Sequence, residues 1–404
     1  MKKYNKENSF FYSGRFCLLC SLIVISFSAY SQPSVQAKFG EGITVVARDS
    51  SFALGFSTRF QTLYSGALNT SSDEYNDQLL IRRARLEFEG FVYSPKLEYK
   101  FALGLSNRDM GGEDLPQQNH AENIVLDAVL MWNFYKNFEL WVGQTKLPGN
   151  RERLVSSQKM QFVDRSILNS YFNLDRDIGI QLKHAFKVNN VVFKETISVS
   201  MGEGRNVTGN NAGGYDYTFR GEVLPFGAFK GKGEYVGSDI EREDTPKLAI
   251  GVSYDFNEGA SKEGGQIGDY LNGNKDLSTI FIDGMFKYKG NSLMFEYAHK
   301  EALDGSVIRT LDSEGMELFQ YFDTGEGINI QYGYLFKNNV ELAARYSHVD
   351  PEEIVFENER SEYTLGLSKY IVGHNLKIQS DISLTQEQSQ DDELRFRLQI
   401  EMGI

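Results

Sequence analysis

The side chains of this chain that could do chemistry are charged ones set at alternate positions. Arg83, Arg85, Glu87 and Glu89 are separated by Ala84, Leu86 and Phe88, and Leu394-Arg395-Phe396-Arg397-Leu398-Gln399-Ile400-Glu401-Met402 keeps the same two-residue beat. On a β-strand this spacing places the charges on one face and the apolar side chains on the other. Such rows hold fixed charge against water or ions and do not assemble a reaction centre. The five histidines, His120, His184, His299, His348 and His374, are scattered over predicted loops, turns and strands. No Gly-x-Ser-x-Gly elbow, closely spaced histidine pair for zinc or Gly-x-x-x-x-Gly-Lys phosphate cradle occurs. A lipid-hydrolysing barrel would need a Ser/His/acid arrangement on its wall or rim, and the sequence supplies no sign of one. No enzyme, metal or cofactor is expected.

The elements that carry these rows begin after a leader. Lys2, Lys3, Lys6 and Arg15 precede an apolar run from Phe16 to Ile25, and Ala29 and Ser31 bracket a cut before Gln32. Residues 1–31 are read as a removed signal peptide, residues 32–51 as a short periplasmic segment and residues 52–404 as one β-domain. Cys17 and Cys20, the two cysteines, fall within the leader, so the exported chain is expected to carry no thiol or disulfide. A lipid anchor at Cys20 fits poorly, because Leu19 stands where a small residue is needed. No later stretch approaches the roughly 20 apolar residues of a spanning helix.

The beat predicts strands over 52–64, 79–92, 95–106, 123–134, 137–146, 176–188, 191–201 and 215–224. It continues over 246–256, 278–289, 292–301, 326–336, 339–349, 361–371, 373–385 and 392–402. An all-β, 16-stranded antiparallel transmembrane barrel follows, with both ends on one side. Tight turns are expected at Tyr93-Ser94-Pro95, Tyr135-Lys136-Asn137, Asn189-Asn190, Gly290-Asn291, Lys337-Asn338-Asn339 and Gly373-His374-Asn375. Residues 226–245 would break the parity as a strand and are read as a long periplasmic connection. Residues 43–48 are set aside as an extended piece before the barrel.

The phase puts Ala84, Leu86, Phe88, Leu97, Tyr99, Phe101 and Leu103 on lipid. It turns Arg59, Arg83, Arg85, Lys183, Arg220, Lys247, Lys287, Arg345, Lys377, Arg395 and Arg397 inward. Arg or Lys at mid-membrane depth on the lipid side would cost roughly 2–4 kcal/mol each. Inward carboxylates such as Glu87, Glu98, Asp127, Glu222 and Asp283 bring the wall close to balance. Phe134, Tyr288 and Tyr346 fit interfacial girdles. A barrel this wide holds water unless plugged. The third outer loop, residues 147–175, is the candidate constriction: Leu154, Met160, Val163 and Ile167 recur at helical spacing among Arg151, Arg153, Lys159, Asp164 and Arg165. Folded inward, it would narrow the bore and present fixed charge. Lying over the mouth, it would leave those charges in solvent.

Several motifs in order resemble the phosphate-selective porin O and P family. They are Arg82-Arg83-Ala84-Arg85-Leu86-Glu87-Phe88-Glu89-Gly90, Val142-Gly143-Gln144-Thr145-Lys146-Leu147-Pro148, Ser156-Ser157, Asp164-Arg165-Ser166 and Asp177-Ile178-Gly179-Ile180-Gln181-Leu182. Leu224-Pro225-Phe226-Gly227, Glu341-Leu342-Ala343-Ala344-Arg345-Tyr346-Ser347 and Gly373-His374-Asn375-Leu376-Lys377 continue the series. The resemblance runs from about Phe39 to the C-terminus. It implies a trimeric outer-membrane porin passing small ionic solutes, with phosphate or polyphosphate as the family's known cargo. By position, Lys146, Arg151, Arg153, Lys159 and Arg165 become the anion contacts of the constriction, with Arg59, Arg83, Arg85, Lys183 and Arg220 as wall charges. Guanidinium and ammonium groups suit this role through charge-assisted hydrogen bonds to phosphate oxygens.

The chain carries 42 Lys and Arg against 55 Asp and Glu, a formal charge of −13; without the leader's four basic residues and Glu7, 38 face 54. That balance argues against a nucleic-acid partner. The acidic excess gathers in predicted outer loops: Asp73, Glu74, Asp77; Glu113, Asp114; Asp304, Asp312, Glu314, Glu317; Glu352, Glu353, Glu357, Glu359; Asp391, Asp392, Glu393. These loops would meet lipopolysaccharide and repel anions over about 8–10 Å. The competing reading is a surface-binding or structural barrel whose bore is closed to ions.

Overall fold

The alternation folds into a closed wall whose outside is greasy and whose inside is wet. A computed structural model describes residues 34–404 except 107–108, 110–123, 208, 210, 212, 312–314, 354–357 and 389. The expected leader with Cys17 and Cys20, and also Glu113, Asp114, His120, Asp312, Glu314 and Glu357, lie outside the described residues. The first half contains β1 (Ser34–Lys38), β2 (Gly42–Val46), β3 (Phe52–Asn69), β4 (Tyr75–Val92), β5 (Ser94–Gly104), β6 (Val125–Tyr135), β7 (Phe138–Lys146), β8 (Arg176–Val188), β9 (Val191–Ser200) and β10 (Asp216–Leu224). The second contains β11 (Lys247–Lys262), β12 (Tyr270–Tyr288), β13 (Asn291–Ala302), β14 (Val307–Leu311), β15 (Glu317–Tyr321), β16 (Gly325–Leu335), β17 (Val340–Pro351), β18 (Arg360–Val372), β19 (Leu376–Glu387) and β20 (Glu393–Gly403). Sixteen of them, β3–β13 and β16–β20, pair antiparallel with their neighbours, and β20 closes on β3 from Glu393↔Asn69 to Gly403↔Arg59.

All sixteen predicted strands are present. The closing turns require left-handed backbone, and the sequence provides it: Tyr93, Lys136, Asn189, Lys289, Asn339 and Gly373 all have positive φ. Residues 225–246 contain no strand and join β10 to β11 on the same side as these turns, with one irregular helical stretch at Lys230–Tyr235. Two small hairpins lie outside the sixteen strands, one of them including most of the extended piece expected at 43–48. The β14–β15 pair stands in the long loop after β13. The β1–β2 pair fills the step at the seam, where β2 takes up Ala53–Phe56 of β3 below the end of β20.

The burial pattern is that of a soluble protein turned inside out. On β18, Tyr363, Leu365 and Leu367 are 48%, 63% and 49% exposed, while Thr364 and Ser368 between and beside them are buried. On β10 the exposed Tyr217 and Phe219 alternate with buried Asp216, Thr218 and Arg220. An apolar surface that continuous has no stable place in water; a closed barrel with no free edge satisfies its backbone and can present such a face to lipid. A band of rings crosses β6–β9 near the short turns, with Phe138 stacked on His184 at 4.0 Å and Phe186 on Phe193 at 5.0 Å. Leu365→Arg should therefore destabilise the barrel by about 2–4 kcal/mol in urea unfolding from lipid vesicles. Leu365→Ile should leave the midpoint nearly unmoved.

Candidate functional site

The residues of the third loop, 147–175, bond to the polar phase of the wall. Arg151 donates from Nε to Asp283 Oδ1 at 2.8 Å, from Nη2 to Glu222 Oε1 at 2.8 Å and from Nη1 to the Glu234 carbonyl at 2.9 Å. Glu296 accepts from the Glu152 amide at 2.6 Å, and Asp381 from the Val163 amide at 3.1 Å. Lys377 donates to the Gln158 carbonyl, Gln379 to that of Gln161 and Arg345 to that of Asp164, at 2.7, 3.0 and 2.9 Å. Leu147, Leu168, Phe172 and Leu174 form an apolar cluster with Phe281, Ala298 and Val349 from the inner wall.

These contacts explain why the helix suggested over Arg151–Ile167 is not continuous. The structure has one turn at Arg151–Leu154, an irregular stretch, and a second short helix at Ile167–Tyr171. Between them, Gln158, Gln161 and Asp164 give their carbonyls, and Val163 its amide, to wall side chains in place of intrahelical partners. Met160, Phe162 and Val163 are buried there instead of lying along one helical face.

The long connection 225–246 meets the loop from the opposite side. Its Gly237 amide donates to the Lys159 carbonyl at 2.8 Å. A β-carbon at Gly237 would stand 2.6 Å from the Gln161 amide nitrogen. Gly237→Val should therefore push the two segments apart and raise single-channel conductance, while the variant still migrates as a folded barrel in an electrophoretic heat-modifiability test.

The first turn of the loop orients two cations. Lys146 donates to the carbonyls of Arg153, Leu154 and Val155 at 2.6, 3.2 and 3.4 Å; Arg165 donates to those of Glu152 and Val155 at 3.1 and 2.8 Å. Orphan carbonyls at a helix C-terminus attract cations. Neither side chain has a carboxylate within 4 Å among the described residues, and the same holds for Arg205, Lys159 and Lys183. Burial, then the neighbouring charges of Arg153 and Arg83, push the Arg165 pKa down to about 9. Asp164 is the opposite case. Burial raises its pKa, yet Arg83, Arg82 and Arg397 outweigh burial and hold it well below the usual carboxylate range.

Open volume lies on both sides of this point. An outer cavity of about 500 Å³ and an inner one of about 880 Å³ share three lining residues, Arg85, Ser157 and Arg165. The outer cavity is lined by eight arginines against four carboxylates, the inner by eleven Lys and Arg against seven. The local sign is thus opposite to that of the whole chain.

The candidate residues from the sequence separate accordingly. Arg165 and Arg85 sit at the junction, Arg153 and Arg83 line the outer cavity, and Lys146, Lys159, Arg59, Lys183 and Arg220 line the inner one. Arg151 lines neither: it is fully buried and all three guanidinium nitrogens are engaged, which makes it an anchor of the loop. Arg220 is largely spoken for by Glu222 and Asp283. Sequence reasoning missed Arg82, Arg176 and Arg205. Arg82 reaches Asp164 at 2.8 Å through a register shift between Gln61 and Thr62. The sign of that shift is visible in the chain, where the apolar phase changes from Leu79 and Ile81 to Ala84 and Leu86.

Comparison with known proteins agrees with this architecture. A model of the phosphate-selective porin O and P family matches residues 55–395. An uncharacterized protein of Aquifex aeolicus is 24% identical over 366 residues, covering 83% of each chain. Among solved structures, a loop L8 deletion mutant of OmpT, an outer membrane protein of Vibrio cholerae, superposes with a TM-score of 0.57 at 11% identity, over 88% of this chain and 100% of that one. An anion-selective porin from Comamonas acidovorans gives 0.53 at 10% identity, over 87% and 100%. At these identities the structural likeness speaks for the fold.

Proposed function

Because the chain belongs to the phosphate-selective porin O and P family and is an outer-membrane porin, we propose that its bore passes small anions, phosphate among them, through a constriction at Arg85, Ser157 and Arg165. The observation that carries this reading is Arg165 itself, a cation held by backbone carbonyls at the junction of two cavities that both carry excess positive charge. A guanidinium fixed this way keeps its attraction for a passing anion, whereas one paired to a carboxylate spends it internally. Lys146 and Lys159 flank the same point without a carboxylate partner among the described residues, whereas Arg153, Arg83 and Arg59 line the bore already paired with Asp175, Asp164 and Glu401. The acidic outer loops oppose entry, though only within about a Debye length of the mouth.

The test is block of chloride current by inorganic phosphate in a planar bilayer. Concentration-dependent block that weakens in Arg165→Gln supports the reading; chloride current indifferent to phosphate removes phosphate from it. The same reading takes residues 1–31 as a cleaved leader, checked by the N-terminal sequence of the mature protein. It also takes the assembly as a homotrimer whose outer loops contact lipopolysaccharide, checked by mass measurement in detergent and by lipid co-purification.

A further inference from the structure

The inner cavity contains something that conduction of a bare inorganic ion does not call for. Most inward positions on these strands are polar, yet Trp141 of β7 lines this cavity, while Trp132, the other tryptophan, is on the exposed outer face. The indole is held in place: its Nε1 donates to Glu139 Oε2 at 2.9 Å. Lys183 of β8 sets its ammonium 3.5 Å from the ring centroid. That ammonium has no carboxylate within 4 Å among the described residues, so the indole face is its nearest electrostatic partner. A second pair of this kind, Tyr235 with Lys194 at 4.8 Å, lines the same cavity. Lys194 faces Ala185, two residues along β8 from Lys183.

We propose that the inner cavity binds a phosphate ester carrying a planar ring, with the ring stacked on Trp141 and the phosphate on Lys183. This rests on the anion-conducting reading above and names the cargo more narrowly. A ring on an indole face contributes stacking that inorganic phosphate cannot use, and the ammonium beside it, opposite Glu139 across the strands but with no carboxylate within 4 Å among the described residues, fixes the anionic end.

The experiment compares phenyl phosphate with inorganic phosphate as blockers of chloride current. In the unmodified protein, phenyl phosphate should block at about tenfold lower concentration, equivalent to about 1.4 kcal/mol. In Trp141→Ala that ratio should fall toward one, and Trp141→Phe should retain most of it. Equal block by both compounds in the unmodified protein, or a ratio unchanged in Trp141→Ala, overturns the proposal while leaving anion conduction standing. No block by either compound overturns both readings together. Should Trp141→Ala not fold, a Trp132→Phe protein leaves Trp141 as the sole emitter, because its substitution lies on the lipid side. Saturable quenching by phenyl phosphate, and none by inorganic phosphate, is then expected, and absence of quenching refutes the site.

Discussion

Arg165→Glu should convert an anion-preferring channel into one that prefers cations. The substitution reverses a charge at the point where the two cavities meet, and no carboxylate within 4 Å masks the original charge among the described residues. A unit charge about 4 Å from a permeating ion is worth roughly 4 kcal/mol at an effective dielectric constant of about 20. Water in the bore and the neighbouring arginines screen most of this, so a change of about tenfold or more in the chloride-to-potassium permeability ratio is expected. Lys232→Glu, at an exposed position on the inner cavity's margin, should shift the ratio far less. Arg165→Lys keeps the charge and loses the two-pronged grip on the Glu152 and Val155 carbonyls, so its ratio should fall between the two. If all three behave alike, the junction does not select.

Arg151→Ala should have the largest effect on stability. It removes a buried guanidinium that satisfies Asp283, Glu222 and the Glu234 carbonyl at once, and leaves Asp283 with Arg220, and Glu222 with Arg220, the Tyr235 hydroxyl and Lys194 at 4.0 Å. Breaking one side of a buried ionic cluster typically costs about 3–5 kcal/mol. Because Arg151 ties the loop both to the wall and to the 225–246 connection, the variant should also open a wider, noisier channel. Urea unfolding from lipid vesicles reads the first effect and single-channel recording the second. Arg151→Lys retains a charge without the planar fork and should recover part of the stability. A variant as stable as the parent, with unchanged conductance, would show that the loop is held without Arg151, by its apolar cluster and its remaining bonds to the wall.

The strands were legible because lipid on one side and water on the other force a period of two over the whole depth of the membrane. Where that contrast ends, so does the signal. Strand β12 begins at Tyr270, eight residues before the predicted start at 278, through Asn272, Asn274 and Lys275. Above the bilayer both faces are wet, and polarity no longer reports facing. The loop helix was misread for a related reason: Leu154, Met160, Val163 and Ile167 have helical spacing, but several residues between them are tied to the wall through the backbone, and sequence does not display such bonds.

Charge was legible as a sum and illegible as a map. The inward strand positions read as near balance, and the chain as acidic, yet arginines collect on both sides of Arg165. Part of the outer excess arises because Arg82 turns inward at a register shift and Arg205 enters from the β9–β10 connection. Arg151 shows the converse. Its partners are 71 and 132 residues away, and only the closed barrel brings them together.

The central claim, that the bore selects anions at Arg165, is tested most directly by the reversal potential of the purified protein across a potassium chloride gradient in a planar bilayer. The account predicts a potential of the sign set by chloride, moving through zero to the sign set by potassium in Arg165→Glu. A potential of the sign set by potassium in the unmodified protein, or one that Arg165→Glu leaves in place, would contradict it.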